Sequence, residues 1–232
     1  MTTPIKILFD KTSKPLGIVT IKEKLSNFSK SYNKVIKIVI EKSENLSRDT
    51  FNFNIATLMP SFKMTRTPHS VFYGMKIEKG ILRDSIYNVL DSCWKKFGTE
   101  FKEVKKHISK NVSHRNRALL ELPEDKKNIA VEKVSQLFDE LEWTTINDHN
   151  IGRVGASKIL FSVFPEFTLP VDNAQWDYLF RTHDYGKLLS TMINEIKEWE
   201  KKLGVNLETL NTSYKTTLPS VYNVMAMDAR AN

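Results

Sequence analysis

The first long apolar stripe covers residues 20–41, where Ile21, Leu25, Phe28, Tyr32, Val35 and Val39 recur at steps of three and four. That spacing keeps side chains on one helix face. Thr20 followed by Glu23 predicts a capping box at its start. Its last part, residues 35–40, is rich in β-branched residues that could equally alternate as a strand; helix is the expectation. Between residues 45 and 79 the regular spacing lapses, and Pro60, Pro68 and Gly74 punctuate a stretch holding Phe51, Phe53, Phe62, Phe72 and Tyr73. This predicts a long aromatic connection, serving either as a binding surface or as plugs for the core.

Regularity returns after Gly80, where Ile81, Leu82, Ile86, Val89, Leu90, Cys93, Trp94 and Phe97 predict an amphipathic helix ended by Gly98, with a basic helix following over residues 99–110. A further helix opens at Pro123 and Glu124, turns Ile129, Val134, Leu137, Phe138 and Leu141 inward, and ends near Trp143. Helices are expected again over residues 173–181, 185–203 and 220–229, with Asp184 and Gly204 bounding the second. No internal repeat or low-complexity tract interrupts this pattern, which predicts a mainly α protein.

Composition narrows the class. With 232 residues of which 41% are hydrophobic, the chain can bury a sizeable core, which argues against disorder. Lys plus Arg number 35 against 27 Asp plus Glu, a net charge of +8. Such an excess points to an anionic partner, with nucleic acid ahead of a membrane surface because no helix reads as basic on one face and aromatic on the other. A Lys-rich solvated surface explains the charge equally well. A lone cysteine, Cys93, rules out an intramolecular disulfide and a four-cysteine zinc or iron–sulfur site. Its place on the apolar stripe makes it a core residue, and the expected compartment is the reducing cytoplasm. No apolar run reaches the roughly 20 residues a bilayer needs, so no membrane span is expected. The short run Ile5 to Phe9, broken by Lys6, reads as no targeting signal.

The candidate chemistry lies in residues 151–180. Gly152 and Gly155 permit positive φ or close backbone approach, and the helix after them would present its free amides to a phosphate. Pro170 sets the direction of the chain into Asp172, which stands at the start of the next helix. There it can cap free amides, and the same setting keeps a carboxylate ionised. Arg153, Ser157 and Lys158 are the expected phosphate contacts on the hairpin side, with Asn173 and Gln175 flanking the carboxylate. His114, Arg115 and Arg117 form a polar turn read either as a phosphate or base contact or as solvated surface. His149 precedes the glycines, and no second His or Cys lies near it, so no metal is assigned.

The glycine pair, its helix and Leu169-Pro170-Val171-Asp172 resemble the helix-hairpin-helix DNA glycosylase superfamily. With Gly155 to Leu160 and Phe164-Pro165, they look most like its divergent branch related to 8-oxoguanine glycosylases, a superfamily that also includes anti-phage enzymes excising glucosylated hydroxymethylcytosine. The resemblance covers about 30 of the 232 residues. It implies a two-lobed helical fold with a cleft between the lobes, here residues 20–122 and residues 123–232, with the hairpin at 151–155. Asp172 would stabilise the sugar cation and orient water after base flipping, leaving an abasic site in duplex DNA. Bifunctional members carry a nucleophilic lysine where this chain has Ser157. Lys158 comes one residue later, about 100° around a helix, so the expectation is a monofunctional monomer, with Lys158 catalytic only if a lyase activity exists. Phe72, Tyr73, Trp176, Tyr222 and Asp228 are the base-pocket candidates. No cofactor and no iron–sulfur cluster are expected; a main-chain-bound monovalent cation at the hairpin is implied by the resemblance alone. Two rival readings are a non-catalytic helix-hairpin-helix DNA-binding protein and a helical interaction domain whose glycines and Asp172 only cap helices.

Overall fold

Two helices, not one, form over the first apolar stripe. In a computed structural model describing residues 5–66, 70–73, 77–78, 81–82, 84–146, 148–207 and 216–231, α1 spans Ile18–Asn27 and α2 spans Lys30–Lys42. Phe28 is extended between them, and the Ser29 side chain accepts from the Tyr32 amide to cap α2. The expected capping box of Thr20 and Glu23 does not form, because α1 begins two residues earlier behind Gly17, which offers no side-chain cap.

The aromatic connection is largely a helix, α3, Arg48–Ser61. Ser47 and Thr50 supply the capping box here, each bonding the other's backbone amide, and Phe51, Ile55, Leu58 and Met59 turn inward. Pro60 fits in the last turn of the helix. Pro68, Gly74 and Gly80 lie outside the described residues. Ile77–Glu78 (β1) and Ile81–Leu82 (β2) pair antiparallel, so the helix expected from residue 81 begins at Asp84. That helix, α4 (Asp84–Ser109), merges the two expected ones. Gly98 does not end it: a Cβ there would stand 2.9 Å from the Trp94 indole, so glycine makes room for the ring. Phe51, Trp94, Phe101 and Phe164 then form a run of ring contacts at 5.3 to 6.1 Å that joins α3 and α4 to the later part of the chain.

A short turn, Arg115–Arg117, leads into α5 (Ala118–Glu121) and α6 (Glu124–Glu142). Next come β3 (Thr145–Ile146) and β4 (His149–Asn150), paired antiparallel, and α7 (Gly152–Val163) packed along α6. The turn between the two helices is therefore 145–150 rather than 151–155, and the glycines open α7. An extended run containing Leu169 and Val171 leads to helical residues 173–174 and a π-helical stretch, Gln175–Phe180, which Arg181 ends at positive φ. Helices α8 (Tyr185–Leu203), capped by Asp184 and Gly204, and α9 (Leu218–Ala231) complete the mainly helical architecture.

Among the described residues, buried apolar side chains from Ile7 to Ala226 form one cluster. Cys93 lies within it, and burial pushes its thiol up to about 12, which makes it an inert core residue. Asn54 on α3 donates to the carbonyls of Val39 and Ser162, tying α2 to α7. No described helix is long and apolar enough to cross a membrane.

Candidate functional site

Asp172 stands where the extended run enters its helix. Its carboxylate accepts from the Gln175 amide at 2.9 Å, while its own amide donates to Gln175 Oε1 at 2.9 Å. The reciprocal pair fixes the carboxylate at the helix start, as the sequence suggests, and leaves it half-buried. The run before Asp172 is held by Ser157, whose Oγ accepts from the Val171 amide and lies within bonding distance of the Val171 and Val154 carbonyls. Ser157 is fully buried. It therefore positions Asp172 rather than reaching a phosphate, a correction to its expected role.

Lys158 lies near enough for the Asp172 charge to act on its amine. Its side chain runs into the interior, 1% exposed, with Nζ 4.5 Å from the centre of the Phe62 ring. Desolvation pushes the amine down to about 8, and the Asp172 charge offsets only part of that shift. Among the described residues Nζ has no hydrogen-bond acceptor. The expected phosphate contact is likewise corrected, because an amine this deeply buried on an aromatic ring is not offered to a DNA backbone.

Gln175, 1% exposed, is also no surface contact. Its Nε2 donates to Asn223 Oδ1 on α9 at 3.2 Å, and Asn223 Nδ2 donates to the Tyr32 hydroxyl on α2 at 2.5 Å. Tyr32 meets Phe62 edge-on with ring centres 5.6 Å apart, and Phe28 meets Tyr32 at 5.0 Å. Asp172, Gln175, Asn223, Tyr32, Phe62 and Lys158 thus form a circuit, five of its links direct contacts and the sixth, Lys158 to Asp172, electrostatic only. It combines a carboxylate, a desolvated amine, two amides, a phenol and an aromatic face, drawn from α2, the end of α3, α7, the turn after it and α9.

The remaining expected residues divide in two. Gly152 takes a φ of +68° where β4 meets α7, a conformation costing an ordinary residue roughly 1–2 kcal/mol. Gly155 admits Phe72, since a Cβ would stand 3.3 Å from that ring and 2.9 Å from Ile151. Arg153 and Asn173 are brought together, but the guanidinium also bonds Asp177 at 2.8 Å and His183 at 2.6 Å; a phosphate would have to compete with Asp177. His149 is exposed on β4.

The base-pocket expectations fare differently. Phe72 is buried against Gly155, and Tyr73 beside it is 61% exposed. Trp176 packs on Phe138 and Tyr185 in the core, and the Tyr222 hydroxyl donates to Glu195. Both rings are buried, and neither makes one of the contacts of the circuit among the described residues. Asp228 pairs with Lys24. His114 is bonded to Glu121, Arg115 to Glu166, and Arg117 to Glu200 through two nitrogens, so these two arginines are structural.

Tyr32 and Asn223 are not singled out as site residues by the pattern, whereas Phe62 belongs to the aromatic connection read either as a binding surface or as core. Tyr32 lies on an apolar stripe and reads as core. Asn223 did leave a signal: a lone amide among the buried Val221, Tyr222, Val224, Met225 and Ala226 requires a partner. A separate open groove between α6 and α8, lined by residues including Ser135, Asp139, Asp184 and Lys187, contains no member of the circuit. No family model, no curated protein and no solved structure matches this chain.

Proposed function

We propose that the protein is a DNA N-glycosylase of the helix-hairpin-helix kind, which everts a modified base from duplex DNA and breaks its glycosidic bond. The observation that carries this reading is a buried Lys158 amine, packed on the Phe62 ring and lowered to about 8, within electrostatic reach of the half-buried Asp172 carboxylate. With that value roughly a tenth of the amine is free at pH 7, against about one part in a few thousand for an ordinary lysine. Asp172 would stabilise positive charge on the sugar as the base departs. Lys158 Nζ would attack C1′, and the base would leave with the bonding electrons and take up a proton. Ring opening then gives a Schiff base whose hydrolysis or elimination frees the enzyme. Candidate substrates are a damaged base or a hypermodified one, including the glucosylated hydroxymethylcytosine of phage DNA, as in anti-phage defence.

Incubation with a panel of modified duplexes and modified phage genomes, with mass spectrometry for released bases and borohydride trapping of the imine, tests the reading. Asp172→Asn is expected to bind duplex as the native protein does and to lose at least about a hundredfold in base release. Equal release by that variant would overturn it. Salt-sensitive duplex binding with no release from any substrate would instead favour the non-catalytic DNA-binding protein.

A further inference from the structure

The hydrogen bonds in the circuit have a fixed polarity that begins at the backbone. The Asp172 amide can only donate, so Gln175 must turn Oε1 toward it. Nε2 is then the only group Gln175 can offer Asn223, which must answer with Oδ1. Asn223 is left presenting Nδ2, a donor, to the Tyr32 oxygen. A hydroxyl that accepts from an amide must send its own hydrogen elsewhere. Among the described residues no acceptor meets that hydrogen, although Tyr32 is only 6% exposed. A buried donor without a partner is costly. Here it belongs to the same ring contact, Tyr32 on Phe62, that leads to the Lys158 amine.

We propose that Tyr32 is the specificity-determining residue of this site, donating its hydroxyl hydrogen to an acceptor on the edge of a planar ring, a carbonyl oxygen or an unprotonated ring nitrogen. The inference rests on the glycosylase reading and refines it. The everted base would be one whose recognised edge carries an acceptor, and a base presenting an amino or ring N–H group to Tyr32 would be refused, because Asn223 already donates to the oxygen.

Two small rings isolate this feature: pyrimidine, the unsubstituted diazine with acceptors only, and pyrrole, with one N–H donor. Titration of the full-length protein with each, followed by NMR of labelled tyrosine side chains, should give a saturable shift at Tyr32 with pyrimidine favoured by roughly tenfold over pyrrole. Tyr32→Phe should abolish the preference. Asn223→Asp should invert it, since a carboxylate would accept from both Gln175 and Tyr32 and turn the hydroxyl hydrogen inward. Should Asn223→Asp fail to fold by circular dichroism, Tyr32→Phe decides. Equal binding of the two rings, no saturable shift with either, or a preference that survives in Tyr32→Phe would overturn the proposal. Base release from the duplex panel is measured in parallel: a ring preference without release sinks only the enzyme reading, and release without a ring preference sinks only this one.

Discussion

At the scale of one residue, Lys158 links function to stability with a definite sign. The ordinary lysine value is 10.5, and the folded protein lowers it to about 8 through desolvation. Between those values the unfolded chain binds a proton that the folded chain has released, so stability rises with pH across the window. Below it the folded state keeps a buried cation. The interval corresponds to about 3 kcal/mol. Lys158→Met, which matches the stem without the charge, is expected to raise the unfolding free energy at pH 7 by up to about 3 kcal/mol. It should also flatten the rise between pH 8 and 10.5 and eliminate borohydride trapping. Urea unfolding at pH 7 and pH 10 checks the first two expectations. A variant no more stable than the native protein at pH 7 would show that the amine is not desolvated. A gain in stability coupled to a loss of chemistry is the behaviour expected of a site that holds a group in an unfavourable state.

At the scale of elements, the register between α7 and the run before Asp172 depends on one hydroxyl. Ser157 is the residue through which α7 holds the Val171 amide, so the separation of Lys158 from Asp172 is set one residue away from each. Ser157→Ala leaves that buried amide unpaired and is expected to destabilise the protein by about 1–3 kcal/mol. Base release should fall further than duplex binding, because the carboxylate loses its position while the surface does not change. A loss of binding as large as the loss of release would show that Ser157 contacts DNA after all. The elements themselves were unequally legible. Helix α8 follows the apolar spacing closely, with Asp184 and Gly204 at its ends, and α6 after Pro123 does so at Val134, Leu137, Phe138 and Leu141, whereas Ile129, expected to turn inward, is exposed. Helix α3 was obscured because its buried face includes Asn52 and Asn54, which blur the contrast between its sides, although Phe51, Ile55, Leu58 and Met59 hold the helical step. Gly98 read as a terminator because a sequence cannot show that an indole four residues earlier occupies the space of its missing side chain. Asp172 and Lys158 were legible through local motif spacing. Tyr32 and Asn223 were not, since they join the site only when α2 and α9 pack together, 191 residues apart in the chain.

At the scale of the whole molecule, a buried ionic cluster joins the parts that carry the site. Glu166, 1% exposed, bonds Lys105 on α4 at 2.5 Å and Arg115 at 2.9 Å, and Arg115 continues to the Ile40 carbonyl and Ser43 at the end of α2. The cluster therefore joins α2, which carries Tyr32, to the loop that leads from α7 toward Asp172. Burial alone would raise the Glu166 carboxyl, but the Lys105 and Arg115 cations outweigh it and hold the group below its ordinary 4.5. A depressed folded value means that the cluster's contribution is present above pH 4.5 and is lost as the pH falls through the lower, folded value. Glu166→Gln removes the charge between two cations and is expected to cost about 3–5 kcal/mol at pH 7. In acid the native Glu166 is protonated too, so the two proteins should converge in stability as the pH falls below 4.5. Urea unfolding of both at pH 7 and pH 3 measures the gap at each end. A gap unchanged in acid would mean that the carboxylate charge is not what holds α2, α4 and the loop before Asp172 together, whereas a closing gap would show that the site's geometry depends on a single buried anion six residues before Asp172.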